Sequence, residues 1–337
     1  MSRSFITLAA LLTAVATTFI SLQAQAVQRT HVSAAFGADS NTASNCTAVA
    51  PCRFFAAAMT VTDMNGEVIV LDSGGYGAVT ITQSISLIAP TGVYAGISVF
   101  PGANGVTIAT AGINVVLRGL TINGQGGNFG INMTAGARLT VENCLISNLA
   151  QTGINVNTAA NVRVTDTTIR DSGSVGLNLQ NVARAAVTRA VITGHSFNGI
   201  VVQGTLAGTI TTADIADSTL NENYNGAFVF SDNASAVVRV SIRDSRAVGN
   251  TNAGVYVQSS AAASATLSAS NSVFSNNNSG IFAFNTGSKV WASGNTISDN
   301  DTGLYNSIAV IESAGNNAMR NNRTADTNGT IAVFVTK

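Results

Sequence analysis

Seven charged side chains recur at equivalent positions of a repeated segment, and they are the residues of this sequence best suited to chemistry. They are Arg163, Asp166, Arg189, Asp214, Asp217, Arg243 and Asp244. Guanidinium groups bind carboxylates through paired hydrogen bonds, and carboxylates can hold a cation or move a proton. The set therefore predicts a compact charged surface that could serve as a binding groove or as a reaction centre.

Alignment of the repeats arranges these residues, together with one further acidic residue, in three columns. The columns are Asp166, Arg189, Asp217 and Asp244; Arg163 and Asp214; and Glu142 and Arg243. Because opposite charges alternate in them, the columns could instead be ladders that stabilise a sheet. The sequence favours this structural interpretation, and the arginines would also weaken any binding of calcium.

Other reaction chemistries lack the residues that they need. His31 and His195 are the only histidines, so no histidine-based metal site is expected, and no Ser–His–Asp set can be assembled. His195 is predicted to be a surface turn residue. The segment 74–77 begins like a calcium-binding nonapeptide, but Val79 stands where an aspartate is required. The sequence thus predicts no metal site and no cofactor.

The composition narrows the classes of partner. Charged residues make up 9% of the chain and cancel to a net charge of zero, so there is no basic surface for nucleic acid. Aromatic residues make up 6%, which predicts too few rings for a densely aromatic sugar-binding surface. Apolar residues make up 46% and are regularly spaced, which indicates a folded core rather than disorder.

The first 26 residues have the three-part pattern of a signal peptide. Arg3 supplies a positive start, residues 5–20 are uncharged and mostly apolar, and residues 24–26 form a small-x-small cleavage site. The apolar run is shorter than the roughly 20 residues that span a bilayer. We therefore expect cleavage after Ala26, export to the periplasm or the extracellular space, and no membrane span in the mature chain.

The three cysteines suit an exported protein. Cys46 and Cys52 lie close together in the chain, on either side of a short loop that contains Pro51. A disulfide is expected between them in an oxidising compartment, with two free thiols as the alternative. Cys144 occupies a repeat position held elsewhere by Thr or Ser, which predicts a buried small residue rather than a nucleophile.

The repeat itself is a glycine followed by an apolar residue, and it predicts the architecture. The glycines are Gly130, Gly153, Gly176, Gly199, Gly226, Gly254, Gly280 and Gly303. Alternating apolar and polar residues around each glycine indicate about three short strands per repeat. Such a repeat cannot bury a core alone, so copies must stack as the coils of a parallel β-helix. The glycines are expected at sharp turns or at positive φ.

Two uncharged polar columns accompany the glycines. One is nearly pure asparagine, and the other carries hydroxyl groups. Their members are Asn223, Asn250, Asn277, Asn300 and Asn321, and Thr167, Ser218, Ser245 and Ser272. They could form a polar binding stripe or stabilise turns along the helix axis, and the second interpretation is favoured because Asn readily adopts turn conformations.

The start of the mature chain differs from the repeats. Residues 53–59 are its best helix candidate, and a helix here could cap the open end of the solenoid. The sequence therefore predicts a signal peptide over 1–26, an N-terminal segment with a capping helix over 27–65, and a β-helix domain over 66–337.

Several segments resemble a known superfamily. Residues 52–56, 66–70 and 74–77 resemble the entry to right-handed parallel β-helix proteins of the pectin-lyase-like superfamily. The repeated Asn/Asp-x-x-Ile-x-x-Asn…Gly-Ile pattern resembles their coil. The chain is similar, over residues 30 to 337, to exported bacterial right-handed β-helix repeat proteins. This implies an all-β, single-stranded right-handed parallel β-helix with a short N-terminal capping helix.

The resemblance also implies a range of activities, since members of the superfamily cut, isomerise or bind polysaccharides. The hydrolysing branch carries paired aspartates, Gly-His-Gly and Arg-x-Lys, none of which is present; Gly194-His195 is followed by Ser196. The lyase branch uses acidic side chains to hold Ca²⁺ and a basic residue to remove a proton. Only the charged columns offer a partial match to it.

Three functions are therefore open. The leading hypothesis is an exported protein that binds an extracellular or cell-surface polysaccharide through the seven charged residues without catalysis. The second is a pectate-lyase-like enzyme acting on an acidic glycan, the only case in which Ca²⁺ would be a cofactor. The third is a structural or adhesive protein of the cell envelope.

Overall fold

The computed structural model describes residues 27–260 and 262–334, which form a parallel β-helix. Each complete coil contributes one strand to each of three sheets, and strands of successive coils pair in parallel, as the repeat predicts. The predicted signal peptide lies outside the described residues. No helix within those residues has the length and apolarity required to cross a membrane.

The three sheets are built from equivalent strands of successive coils. Sheet 1 has thirteen strands: Arg29–Val32, Gly66–Val70, Ile85–Ile88, Asn114–Arg118, Arg138–Glu142, Asn161–Thr165, Arg184–Thr188, Ile210–Ala216, Val237–Arg243, Ser264–Ser270, Ser288–Ser293, Val310–Ser313 and Ile331–Val333. Sheet 2 has eleven: Val79–Ile81, Asn104–Ala109, Phe129–Ala135, Thr152–Asn157, Val175–Gln180, Asn198–Gly204, Asn225–Ser231, Ala253–Ser259, Ser279–Phe284, Thr302–Ser307 and Ala325–Asn328. Sheet 3 has eleven, most of them very short: Gly74–Gly75, Ala95–Val99, Leu120–Gly124, Leu145–Ser147, Thr168–Arg170, Val191–Thr193, Thr219–Asn221, Arg246–Val248, Val273–Ser275, Thr296–Ser298 and Ala318–Arg320.

The N-terminal end of the solenoid carries short helices and a disulfide. A 3-10 helix spans Asp39–Ser44, and an α-helix spans Phe55–Met59 and buries three of its side chains. The Cys46–Cys52 disulfide is present. The strand Arg29–Val32, from the segment that precedes the predicted β-helix domain, already pairs with Gly66–Val70 as the first strand of sheet 1.

Stacked apolar side chains form the core. One inward column of sheet 3 holds an aliphatic or aromatic side chain on coil after coil, and each of these is at least 98% buried: Ile122, Ile146, Ile169, Ile192, Leu220, Ala247, Phe274 and Ile297. Strand register aligns them in parallel pairs. The core is therefore continuous along the axis, because every coil buries the apolar face of its neighbours.

The repeat glycines are required for a different reason from the one expected. None of the eight has a positive φ. Instead, a Cβ atom on each of the first seven would lie 2.6–2.7 Å from the carbonyl oxygen of the repeat glycine in the next coil. These glycines let successive coils approach closely at the start of the sheet 2 strands.

Replacing Gly226 by alanine tests this explanation. Its Cβ would lie 2.6 Å from the Gly254 carbonyl oxygen and 3.1 Å from both the Ala247 Cβ and the Asn250 Nδ2. We expect G226A to lower the free energy of unfolding by about 1–3 kcal/mol, since overpacking of this kind forces backbone shifts. Gly75 is the control, because its added Cβ would meet no atom closer than 4.0 Å. Equal denaturation midpoints for G226A and G75A would contradict the explanation.

The asparagine column lies buried at the corner between sheets 3 and 2. Each Oδ1 accepts the backbone N–H of the equivalent residue one coil earlier, as in Asn223 to Asn250 at 3.0 Å and Asn250 to Asn277 at 2.9 Å. The sequence alignment was wrong at the last step: Asn300 donates to Asn322 and not to Asn321. Asn321 is the neighbouring turn residue, with a φ of 58°.

The hydroxyl column lies at the other corner, between sheets 1 and 3. Ser218 N–H donates to Ser245 Oγ at 3.1 Å, and Ser245 N–H donates to Ser272 Oγ at 3.2 Å. Each hydroxyl in turn donates to the carbonyl two residues before it. Cys144 belongs to the same column, is buried as predicted and is a free thiol. Burial raises the pKa of this thiol to about 11, which leaves it un-ionised and a poor nucleophile.

Candidate functional site

The outer face of sheet 1 contains two adjoining depressions. One, of about 480 Å³, has a mixed apolar and polar lining that includes Arg184, Asp214, Arg239 and Trp291. The other, of about 440 Å³, lies towards the N-terminal end and also includes Arg184 in its lining. Together they form a groove that follows the helix axis and crosses the strands.

The corner beside this face holds four of the seven residues that the sequence singled out. Asp166, Arg189, Asp217 and Asp244 each directly follow a sheet 1 strand and have φ values of 50–51°. At the same point of other coils the chain has Gly or Asn, which adopt this left-handed conformation most readily, for example Asn143. The column is thus a turn position of the coil.

Arg189 is tied to Asp166 across one coil. Its Nε and Nη2 atoms donate to the two carboxylate oxygens at 2.6 and 2.7 Å. These hydrogen bonds lower the pKa of Asp166 and raise that of Arg189. Such a bidentate pair largely compensates both charges, so neither partner offers a free charge to a ligand.

The remaining predicted residues lie on or beside the strands of sheet 1. Arg243 contacts Asp214 and Asp244, each at 3.5 Å. Glu142 shares a column with Arg243 but lies four coils away, and pairs with Arg118 at 2.9 Å. Arg163 shares a column with Asp214, with Ala186 between them. Apart from Arg163, most of the predicted charged surface is therefore neutralised by its own ion pairs.

A second set of cations, not predicted from the sequence, lies on the outer face of sheet 1. In one outward column of sheet 1, every second coil carries a positive charge, and we name this set the cation row: Arg138, Arg184, Arg239 and Lys289. The column reads Arg-Asn-Arg-Thr-Arg-Thr-Lys over seven coils. A signal was present in the sequence, because each of the four immediately precedes the first apolar residue of the alternating pair.

The cation row is exposed, and its charges have no ion-pair partner among the residues that the structure describes. All four side chains are exposed, and within the described residues none lies within 4.0 Å of a carboxylate. Arg163, in the adjacent column, is exposed and unpaired in the same sense. Because neighbouring strands lie about 4.8 Å apart, cations on alternate coils are spaced by about 9.6 Å.

Polar groups and the single tryptophan lie beside the cation row. Ser241 and Ser268 follow Asp214 in the next outward column, and Trp291 comes after them. The indole is 39% exposed, and its Nε1–H donates to Glu312 at 2.5 Å. The groove thus has hydroxyl groups along its floor and an indole held in a fixed position at one end.

The outer face of sheet 2 is different in character. Asp326 is the one charged residue in the strands of this sheet. The composition predicts too few rings for a dense aromatic surface, yet four rings stack in one column of this face: Phe228, Tyr256, Phe282 and Tyr305, with centroids 4.5–5.1 Å apart. They all lie two residues after a repeat glycine. Because the rings cover one another's faces, we interpret this ladder as a stabiliser of the coils.

His195 is buried, which corrects its prediction as a surface turn residue. It occupies the asparagine column one coil before Asn223 and is 2% exposed. Ser172 N–H donates to Nδ1 at 3.0 Å, and Nε2–H donates to the Ile169 carbonyl at 3.2 Å. These partners define a neutral ring, and burial lowers the pKa of His195 to about 4. The ring cannot reach a ligand and has a structural role.

The groove does not fit a calcium ion. No group of three or more His, Cys, Asp or Glu side chains in the described part of the chain could hold a metal. Asp166 and Asp214 are already paired with arginines. A row of unpaired cations beside these carboxylates would further oppose a divalent cation.

Three parallel sheets wound around one continuous core define the protein as a β-solenoid. The family described as the right-handed β-helix region matches residues 54–212 and 104–268. The chain belongs to this family, which agrees with the superfamily resemblance and with the predicted right-handed fold. A comparison with curated protein sequences gave no match.

The solved structures similar to this chain include two that act on polysaccharides by name. The pectate lyase Pel9A has a TM-score of 0.58 and 17% identity, with 92% of this chain and 78% of that chain covered. The A-module of the Azotobacter vinelandii mannuronan C-5 epimerase AlgE6 has a TM-score of 0.53 and 15% identity, with 80% and 87% covered. At these identities the likeness concerns the fold.

Proposed function

We propose that this protein binds an acidic polysaccharide along the outer face of sheet 1 and does not cleave it. The observation that carries the proposal is the cation row, four exposed positive charges in line along the helix axis with no carboxylate partner in the described part of the chain. Unpaired arginine on a strand face offers a fork of donors that matches a carboxylate. Regular spacing along one direction suits a linear polymer.

The residues around the row support a sugar as the repeating unit. Ser241 and Ser268 offer hydroxyl groups next to the cations, and Trp291 offers an indole face at the end of the groove. Aromatic rings with a polar handle are common in binding sites where one side of the ligand is apolar. The pectate lyase and the mannuronan epimerase described above carry polysaccharide substrates in their names, which agrees with a polysaccharide partner.

Among the residues chosen from sequence, Arg163 and Asp214 line the groove and are proposed to contact the ligand. Asp166, Arg189, Asp217, Arg243 and Asp244 are proposed to shape its edge. A non-catalytic role is supported by the described residues, among which no group of three or more acidic, histidine or cysteine side chains could hold the Ca²⁺ of a lyase. Export to an oxidising compartment is supported by the Cys46–Cys52 disulfide. N-terminal sequencing of the secreted protein tests the expected start at Val27.

Neutralising the centre of the row should abolish most of the binding. We expect R184Q together with R239Q to weaken binding of polygalacturonate and hyaluronan by about tenfold per arginine, because each charge-assisted contact contributes about 1.5 kcal/mol or more. Isothermal titration calorimetry measures the affinity. The matched control is R246Q with R320Q, which removes the same charge from sheet 3.

The control separates this site from general electrostatic attraction. If both double variants weaken binding equally, the row is not the site. If wild-type protein binds no acidic polysaccharide, the proposed function is wrong. Release of unsaturated products during the incubation would show a lyase instead.

A further inference from the structure

The residues between the cations differ from the cations in what they can bind. From Arg184 to Lys289 the row is interrupted on alternate coils by Thr212 and Thr266. The Thr212 hydroxyl donates to the Ala183 carbonyl at 3.0 Å, and the Thr266 hydroxyl donates to the Val238 carbonyl at 3.2 Å. Because each hydroxyl proton is already used, each oxygen presents only lone pairs to a ligand.

An acceptor-only position is unfavourable for a carboxylate. A carboxylate placed there would lose its water and meet a second acceptor, at a cost that no hydrogen bond repays. A sugar hydroxyl or an amide N–H, in contrast, could donate to the threonine oxygen. Coils that carry a cation therefore favour a carboxylate of the ligand, whereas coils that carry a threonine favour a hydrogen-bond donor.

Asp214 makes the first of these gaps still less suitable for an anion. It lies on the same strand as Thr212, two residues further on, and its side chain points to the same outer face. Its carboxylate lies 3.5 Å from the Arg243 guanidinium and accepts a hydrogen bond from the Ser241 hydroxyl. A ligand carboxylate on this coil would face both the threonine oxygen and this aspartate, and like charges at such positions repel.

We infer that the groove recognises a polysaccharide in which an acidic sugar alternates with a neutral sugar that carries a hydrogen-bond donor. The carboxylates meet Arg184, Arg239 and Lys289, and the neutral sugars lie over Thr212 and Thr266. The repeat of about 9.6 Å between cations suits a disaccharide of an extended pyranose chain. This inference rests on the proposed function and adds to it the order of charges along the ligand.

The same pattern would also arise if threonines only kept like charges apart, and ligand choice distinguishes the two explanations. Hyaluronan carries a carboxylate on every second sugar and an amide on the others, whereas polygalacturonate carries a carboxylate on every sugar. With both affinities expressed per binding site on the polymer, we expect wild-type protein to bind hyaluronan about tenfold more tightly than polygalacturonate. The T212R, T266R double variant, which fills both gaps, should reverse this preference.

The control adds the same charge outside the groove. T168R with T296R places two arginines on sheet 3 and should leave the ratio of the two affinities unchanged. Equal affinity of wild-type protein for both polymers would overturn the inference, as would a T212R, T266R variant with the wild-type ratio; both results leave the proposed function standing. Binding of neither polymer would mean that the proposed function itself has failed.

Discussion

Acidification from pH 7 to pH 4 should lower the free energy of unfolding by about 3 kcal/mol through His195 alone. The pKa of His195 is about 4 in the folded protein and near 6.5 when unfolded, so the unfolded chain binds more protons between these values. The contribution of neutral His195 to the free energy of unfolding is fully present above pH 6.5, and it is lost as the pH decreases towards 4. The cause is local, because a proton on Nδ1 would face the Ser172 N–H that now donates to it.

Replacement of His195 by asparagine should remove this contribution. An asparagine would accept from Ser172 and donate to Ile169 as the other members of the column do, without titrating. The measurement is reversible guanidinium unfolding of wild type and H195N at several pH values. The difference between their free energies of unfolding removes the contribution of the carboxylates, because these titrate in both proteins. In an H31Q background, the single remaining imidazole should titrate near pH 4 by NMR. A parallel decline of wild type and H195N would contradict the assignment.

Removal of one asparagine from the buried ladder should have a comparable or larger effect. Asn277 is 4% exposed; its Oδ1 accepts Asn250 N–H and Nδ2–H, both at 2.9 Å, and its Nδ2 donates to the Ala247 carbonyl at 3.0 Å. In N277A the buried Asn250 N–H and Ala247 carbonyl lose these partners, and Asn250 Nδ2 keeps only its hydrogen bond to the Leu220 carbonyl. Each buried group that loses a partner costs about 1–3 kcal/mol. We expect a total loss of about 3–5 kcal/mol in the free energy of unfolding.

A second asparagine ladder provides the control. Asn155 donates to Asn132 and accepts from Asn178, both at 2.8 Å, but on the partly exposed face of sheet 2 and without a backbone partner. Water can replace these hydrogen bonds, so N155A should cost about 1 kcal/mol or less. Denaturation followed by circular dichroism compares the two variants. Equal losses would mean that burial of the ladder is not what makes it stabilising.

The repeat by itself determined the architecture and the register. Coils joined by parallel pairing place equivalent residues one above another, so a column read from the sequence is a column in space. This is why the shared columns of Arg163 with Asp214 and of Asp166 with Arg189 could be found without a structure. The slip from Asn322 to Asn321 occurred where two asparagines follow each other and the pattern cannot choose between them.

Only the tertiary structure decided which charges are occupied. Side-chain geometry decides which charges pair across coils. The pairing of Arg189 with Asp166, and the absence of such a partner for Arg184 among the described residues, could therefore not be read from their columns. His195 is buried because it belongs to the asparagine column and is surrounded by it. Sequence alone does not distinguish a buried histidine at a turn from an exposed one. The sequence therefore determines the order of residues along each column, and side-chain packing determines which of them remain free to bind.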